Sequence, residues 1–393
     1  MADDPSATTA AAGSATADKN GSTGDGRDLA AAPATTGAAD GQAGAVAEGL
    51  DSNGPNSNGQ GNVDQAAKPS ADDVTDAMTA AEDGEDGAAD APEGTSPAQP
   101  STAPPTQWAM GKTMPTPRSE LAVALLDGVA YVAGGYGGFA GTTATFEGYD
   151  IEQDSWSELR DLPVAMEHPC LAALDGKLYL SCGRRSATAG PSELFVYDPS
   201  TDDWSQLADV PTARWGSTAV SFEGALYIIG GTEPGGMTIQ RYDPATDTWM
   251  AQTELDILRD HAVAVPLGNM IYVLGGRPGR GEVYDSSVIF DPEANTITPG
   301  PKLDEARSGF AAAAVGDYIC VAGGEILVDP YHALDTGSCL DPSSGTWTPT
   351  EKLPGPIHGT GAIGYKGRMY VFGGAGMPAR ATPLAGGVYI LQP

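Results

Sequence analysis

The sequence predicts an all-β fold, a six-bladed β-propeller, from three observations. A short apolar run ending on glycines, Tyr131-Val132-Ala133-Gly134-Gly135, returns five times, at Tyr179 to Gly183, Tyr227 to Gly231, Tyr272 to Gly276, Cys320 to Gly324 and Tyr370 to Gly374. The second glycines are 48, 48, 45, 48 and 50 residues apart. A period near fifty built on short strands signals blades, because one four-stranded unit cannot bury both faces until neighbours stack on it. The third observation concerns the ends. The last unit stops at Val388 to Pro393, its third strand, while Thr106-Gln107-Trp108-Ala109-Met110 reads as a fourth strand with no unit before it. Donating that strand to the last blade closes the ring and leaves no exposed sheet edge, so a monomer is expected.

Each unit opens on a strand of small residues, such as Leu121 to Ala124 or Phe310 to Ala314, suited to the crowded innermost position. A tight turn follows, spelled Asp127-Gly128, Asp175-Gly176 and Glu223-Gly224, as a two-residue hairpin needing positive φ requires. The double-glycine strand comes next, where the missing side chain permits close backbone approach or a bulge. The third strand ends on Asp-Pro at Asp198-Pro199, Asp243-Pro244, Asp291-Pro292 and Asp341-Pro342, which begins a turn. The outermost strand carries Trp156, Trp204, Trp249 or Trp347, a large ring for packing against the neighbouring blade. Unit four has Ile297 there, and a looser contact is expected.

Residues 1–105 contrast with this pattern. They hold no Phe, Trp, Tyr, Ile or Cys and only Leu29 and Leu50, so they cannot offset their chain entropy by burial. The reading is a disordered, acidic low-complexity tail over 1–105 and a propeller over 106–393. Of the 52 acidic and 20 basic residues, 18 and 3 lie in the tail, which leaves both parts acidic. That argues against nucleic acid or an anionic membrane as a partner. The start, Met1-Ala2-Asp3-Asp4-Pro5, has no basic n-region or apolar h-region, so the reading is cytoplasmic, or extracytoplasmic if a signal or anchor precedes these residues. Cys170 with Cys182 and Cys320 with Cys339 fall on neighbouring strands of one blade; disulfides are open to both pairs, and an intracellular reading favours buried free thiols.

The double glycine, the Tyr-Asp-Pro-x-x-x-x-x-Trp spacing from Tyr197 to Trp204, and an Arg ahead of strand one resemble the Kelch-repeat family over residues 106–393. Kelch propellers include peptide-binding adaptors, cytoskeletal binders, a bacterial sialic-acid mutarotase and a copper oxidase, so the resemblance carries fold more than function.

Alternating strand direction places the loops between strands two and three on one face with the connections into strand one. Arg118, Arg214, Arg259 and Arg307 fall there, with Arg184, Arg185, Arg277, Arg280 and Arg380 in the loops, and all four histidines: His168, His261, His358 and His332. This predicts a positive mouth that binds an acidic peptide or a small anionic sugar, since guanidinium groups pair bidentately with carboxylates. In Kelch adaptors that capture acidic peptides, arginines at this repeat position line the pocket, which the resemblance carries onto Arg118, Arg214, Arg259 and Arg307. The same arginines would equally brace blades. Units two and six have Met166 and Ile357 instead, so the ring is incomplete. Glu167, Asp260 and Trp215 lie beside these positions, and a Trp next to an Arg could stack on a sugar or peptide.

The function expected is a noncatalytic binding module. The alternative is an enzyme of the sialic-acid mutarotase kind, with Glu167, Asp260 or a histidine moving the ring proton. No cofactor and no metal set are expected. His168 and Cys170 share a strand face without a further ligand, and Glu254, Asp256, Asp260 and His261 straddle two strands. Asp18-Lys19-Asn20-Gly21 lacks the glycine and terminal acid of a calcium loop. The tail reads as a flexible spacer, with a lesser alternative that lays the acidic stretch Glu82 to Glu93 over the protein's own mouth.

Overall fold

The computed structural model describes residues 103–393 apart from 186–191, 233, 280 and 378–379. The acidic tail and its self-occlusion therefore lie outside the described residues. Six four-stranded antiparallel sheets form the blades of a propeller. In the first blade the strands are Ala122–Leu126, Val129–Ala133, Phe146–Asp150 and Ser155–Glu158, ordered from axis to rim. Ring closure follows the sequence reading: Gln107–Gly111 pairs antiparallel with Val388–Gln392, Trp108 opposite Leu391, as the outermost strand of the sixth blade. No helix among the described residues is long and apolar enough to cross a membrane.

The hairpins between strands one and two turn as their sequences demand. Asp127 and Gly128 have φ of 50° and 80°, and Asp175 with Gly176 and Glu223 with Gly224 repeat the pattern. Such turns match the right-handed twist of the flanking strands.

The double glycine is an interblade staple. The first glycine's carbonyl accepts from the repeat arginine of its own blade, as from Arg118 Nε to Gly134 at 2.8 Å and from Arg307 Nη1 to Gly323 at 2.7 Å. The second glycine's N–H donates to the carbonyl of the residue in that arginine slot of the next blade: Gly135 to Met166, Gly231 to Arg259, Gly276 to Arg307, Gly324 to Ile357 and Gly374 to Arg118. A Cβ on Gly134, Gly275 or Gly323 would fall 2.5–2.6 Å from that next-blade carbonyl oxygen, and all three have positive φ. Only glycine meets both demands without strain. In the second blade Cys182 holds the slot at φ 59°.

A second staple runs round the rim. The Trp156 indole donates to the Lys112 carbonyl of the preceding blade, while the Lys112 N–H donates to Asp154 Oδ1. Trp204 and Asp202 hold Arg160 the same way, and Trp249 and Asp247 hold Ala208. In the fourth blade Ile297 supplies no donor, yet Asn295 Oδ1 still accepts from Thr253 N at 2.8 Å. The contact there loses one of two bonds and keeps the other, which is the physical content of the looser packing expected. Between the staples lie aromatic clusters. Phe146 of blade one meets Tyr197 and Trp204 of blade two at ring separations of 5.0 and 5.2 Å.

The preference for free thiols needs correction at one pair. Register sets Cys320 directly opposite Cys339 on the second and third strands of blade five, and the two form a disulfide. Cys170 and Cys182 are buried free thiols, because the register offsets them by one residue: Cys170 faces Ser181 and Cys182 faces Pro169.

Candidate functional site

The six innermost strands line an axial channel of about 360 Å³. Its mouth on the looped face is built by the residue two places after the arginine slot in each blade: Glu120, His168, Gly216, His261, Gly309 and Gly359. All six have left-handed φ, between 53° and 67°. That conformation turns the amides along the ring, and in five of the six blades they bond the neighbouring ring residue: Glu120 N donates to Gly359 O, His168 N to Glu120 O, His261 N to Gly216 O, Gly309 N to His261 O, and Gly359 N to Gly309 O, at 2.7–3.0 Å. At two of the three glycine positions the missing side chain leaves room for neighbouring acidic groups. A Cβ on Gly216 would lie 2.1 Å from Asp260 Oδ1, and one on Gly359 would lie 2.6 Å from Glu120 Oε1.

Outside this ring, the residue directly after the arginine slot pairs with the residue directly after the double-glycine position. Glu167 thus faces Arg184, Asp260 faces Arg277, Ser308 faces Glu325, and His358 faces Ala375. Glu120 Oε2 lies 3.0 Å from His168 Nε2, and Glu120 Oε1 lies 3.8 Å from His358 Nε2, which is 3.7 Å from Glu325 Oε2. His261 Nδ1 is 2.6 Å from Asp260 Oδ1, whose other oxygen takes Arg277 Nε at 3.3 Å. Arg277 Nη1 also pairs with Glu325. Arg184 Nε donates to Glu167 at 2.6 Å, and its guanidinium stacks 4.8 Å from the Trp215 ring centroid. Trp215 in turn meets His168 and His261 edge to face.

Burial alone would raise the Glu120 carboxyl, but the imidazoles of His168, His261 and His358 overcome it and hold Glu120 well below the carboxylate range. Desolvation works against the charged form of His168, yet the Glu120 charge raises its pKa. Asp260 behaves like Glu120: burial pushes it up, while His261 and Arg277 bring it down. At Glu120, His168 and Asp260 the neighbouring charges therefore outweigh burial and favour the charged form.

Of the residues expected at the site, His168, His261, His358, Glu167, Asp260 and Trp215 converge at this mouth. The four repeat arginines do not. Arg118, Arg214, Arg259 and Arg307 are each at most 1% exposed. Their guanidinium groups reach down their own blades to backbone carbonyls, Arg214 Nη1 to Thr238 O at 2.9 Å and Arg259 Nη1 to Gly275 O at 2.9 Å and Ser286 O at 3.0 Å. They brace blades rather than line a pocket. The positive mouth is corrected with them, since four carboxylates, Glu120, Glu167, Asp260 and Glu325, meet Arg184 and Arg277 there. His332 lies apart, exposed on a hairpin with Nδ1 2.8 Å from the Pro330 carbonyl. Arg185 pairs with Glu193, Arg280 lies outside the described residues, and the Arg380 side chain is likewise not described.

Glu120 and Glu325 escaped the sequence reading. Aligning the units on the arginine slot would have found Glu120, which stands where His168 and His261 stand, and Glu325 follows Gly323-Gly324 as Arg277 follows Gly275-Gly276. One donor atom each from Glu120, His168 and His261 lie within 4.8 Å of one another, a grouping that the sequence reading did not bring together.

Comparison with known proteins agrees with this architecture. Residues 167–324 match the KLHDC2/KLHL20/DRC7 Kelch-repeats domain, and residues 117–163 match the Kelch motif. The domain is a six-bladed Kelch propeller. Relatives include Kelch-like protein 40a of Danio rerio, 33% identical over 85 residues, and human Kelch-like protein 41, 36% identical over 74. Those stretches cover 22% and 19% of this chain and only 14% and 12% of the two relatives. Among solved structures, that of YjhT superposes with a TM-score of 0.62 at 15% identity, covering 72% of this chain and 97% of YjhT. The Kelch likeness is thus one of fold.

Proposed function

We propose that this Kelch propeller is a noncatalytic binding module that takes an acidic segment of another protein on its looped face. The observation that carries the reading is the apolar rim beside the charged mouth. In blade five Glu325–Ile326 pairs with His332–Ala333, and in blade six Ala375–Met377 pairs with Arg380–Leu384. These hairpins extend the looped face and expose Val328, Tyr331 and Met377 at 45%, 65% and 52%. The other large exposed hydrophobics among the described residues, Met110 and Met250, belong to outermost strands. Clustered apolar side chains rimmed by polar groups suit a protein segment. Its acidic side chain would meet Arg184, which keeps 31% of its side chain exposed over Trp215.

The test compares binding of a Glu/Asp-rich random peptide pool with a Lys/Arg-rich pool. The acidic pool should be retained, and Tyr331→Ser and Arg184→Ala should each weaken retention about tenfold, as expected for truncating an anchor. Equal retention of the two pools overturns the reading.

A second reading is sugar anomer exchange, favoured by the two carboxylate–imidazole pairs, Glu120 with His168 and Asp260 with His261, which offer general acid–base groups at the channel mouth. NMR of sialic-acid anomers decides it; an exchange rate unchanged by added protein excludes the enzyme.

A further inference from the structure

The geometry points to a divalent-metal site of the zinc class at the channel mouth, held by Glu120, His168 and His261 from blades one, two and four. It is independent of which partner the looped face takes. Two imidazoles and one carboxylate are the donor set that suits zinc with one position left open. Donors around a tetrahedral zinc lie roughly 3.3 Å apart. Glu120 Oε2 and His168 Nε2 are already 3.0 Å apart, and one donor atom from each of the three residues lies within 4.8 Å of the others.

The surroundings orient the His261 and His358 imidazoles as metal ligands are oriented. Asp260 Oδ1 accepts from His261 Nδ1 at 2.6 Å, which leaves Nε2 with its lone pair for the metal. Arg277 Nη2 lies 3.0 and 3.1 Å from the two ring nitrogens of His261. Near-equal distances that short place it over the ring face, clear of the in-plane Nε2 lone pair. Its charge is answered by Asp260 and Glu325. His358 repeats the design: Nδ1 donates to the Ala375 carbonyl at 2.9 Å, and Nε2 faces Glu120 from the sixth blade as a further donor. His168 Nδ1 is buried with no hydrogen-bond partner among the described residues. With Nε2 turned to Glu120 and the metal, that nitrogen is left without the second partner that orients the other two imidazoles.

The backbone supplies the independent argument. Glu120, His168 and His261 are the three ring residues with side chains at a left-handed φ that Gly216, Gly309 and Gly359 adopt freely. Holding a non-glycine residue there costs about 1–3 kcal/mol, strain that persists at ligand-binding positions.

The glycine blades also provide the test. His168→Gly, His261→Gly and Glu120→Gly each remove one ligand at a backbone conformation that glycine adopts freely, and a far-UV circular dichroism spectrum like the parent's shows that each variant stays folded. Zinc binding by the full chain is followed by equilibrium dialysis, and cobalt(II) substitution by visible absorption. The parent should bind one cobalt with the intense bands of a low-coordinate nitrogen site, which carboxylates of the acidic tail do not produce. Those bands should vanish in all three glycine variants, and Asp260→Asn should weaken zinc by about 10–100-fold. A parent without such bands, or bands that survive the three glycine replacements, overturns the site.

Discussion

Arg307 shows why burial has to be read with direction. Its side chain is 1% exposed, and burial pulls its pKa down from the usual arginine value against the opposing pull of Glu305 and Asp304. Nη1 divides its bonds between Gly323 O and Thr336 O, and Nη2 pairs with Glu305. Replacing it with Met, the residue at the same slot in blade two, strips Gly323 O of its arginine donor, leaves Thr336 O with only the Gly323 N–H, leaves Glu305 without its ion-pair partner, and should cost about 2–4 kcal/mol in urea denaturation. Peptide retention by the looped face should not change, because the side chain does not reach the mouth. The Gly323→Ala change probes the other side of the staple. Its Cβ would stand 2.5 Å from Ile357 O at φ 65°, so a loss on the order of 2–3 kcal/mol is expected in the same measurement. Sequence spacing located the arginines on the correct face but carried no information on depth. An offset along a strand names the end of the blade, whereas the direction of a long side chain is decided by which carbonyls lack partners. Glu120 was hidden by the opposite effect: its repeat position is glycine in three units, so the position reads as scaffold.

At the scale of elements, most of the architecture was legible because each strand carries its own mark: small residues at the axis, double glycine second, Asp-Pro third, Trp at the rim. The cysteine pairing was not, since it depends on register, and a shift of one residue separates the bonded Cys320–Cys339 from the free Cys170 and Cys182. Ring closure by Gln107–Gly111 yields a sharp expectation. This strand covers the edge of Val388–Gln392, and its Trp108 indole donates to the Glu351 carbonyl of blade five at 2.8 Å. Removing residues 1–102 should leave the thermal unfolding temperature unchanged. Removing 1–111 exposes an unpaired edge strand and strips the seam between blades five and six, so it should lower that temperature and drive association seen by light scattering. Equal behaviour of the two truncations would deny the strand its closing role.

For the whole molecule, the rim staples link pH to the integrity of the ring. Tyr149 with Asp154, Tyr197 with Asp202 and Tyr242 with Asp247 each join a phenol to a carboxylate that also caps a backbone amide of the preceding blade. The bonds from those phenols and amides lower all three Asp pKa values, while burial first and then the carboxylates raise the three phenols. A carboxyl depressed in the folded state stabilises above its unfolded pKa of about 4, and that stability is lost as pH falls through the folded value. A raised phenol stabilises below its unfolded pKa of about 10, and its contribution is lost as pH rises through the folded value. The propeller should therefore have a stability plateau bounded by these two limbs. Blade four contains the control, with Phe290 and Asn295 at the corresponding positions and the amide bond from Thr253 intact. Installing that pair in blades one to three, as Tyr→Phe at 149, 197 and 242 with Asp→Asn at 154, 202 and 247, keeps an acceptor for each amide and removes both titrations. The variant's unfolding temperature, scanned from pH 3 to pH 11, should start lower at neutral pH and fall less at either extreme. An acid limb as steep as the parent's would mean that the rim staples do not carry the pH dependence.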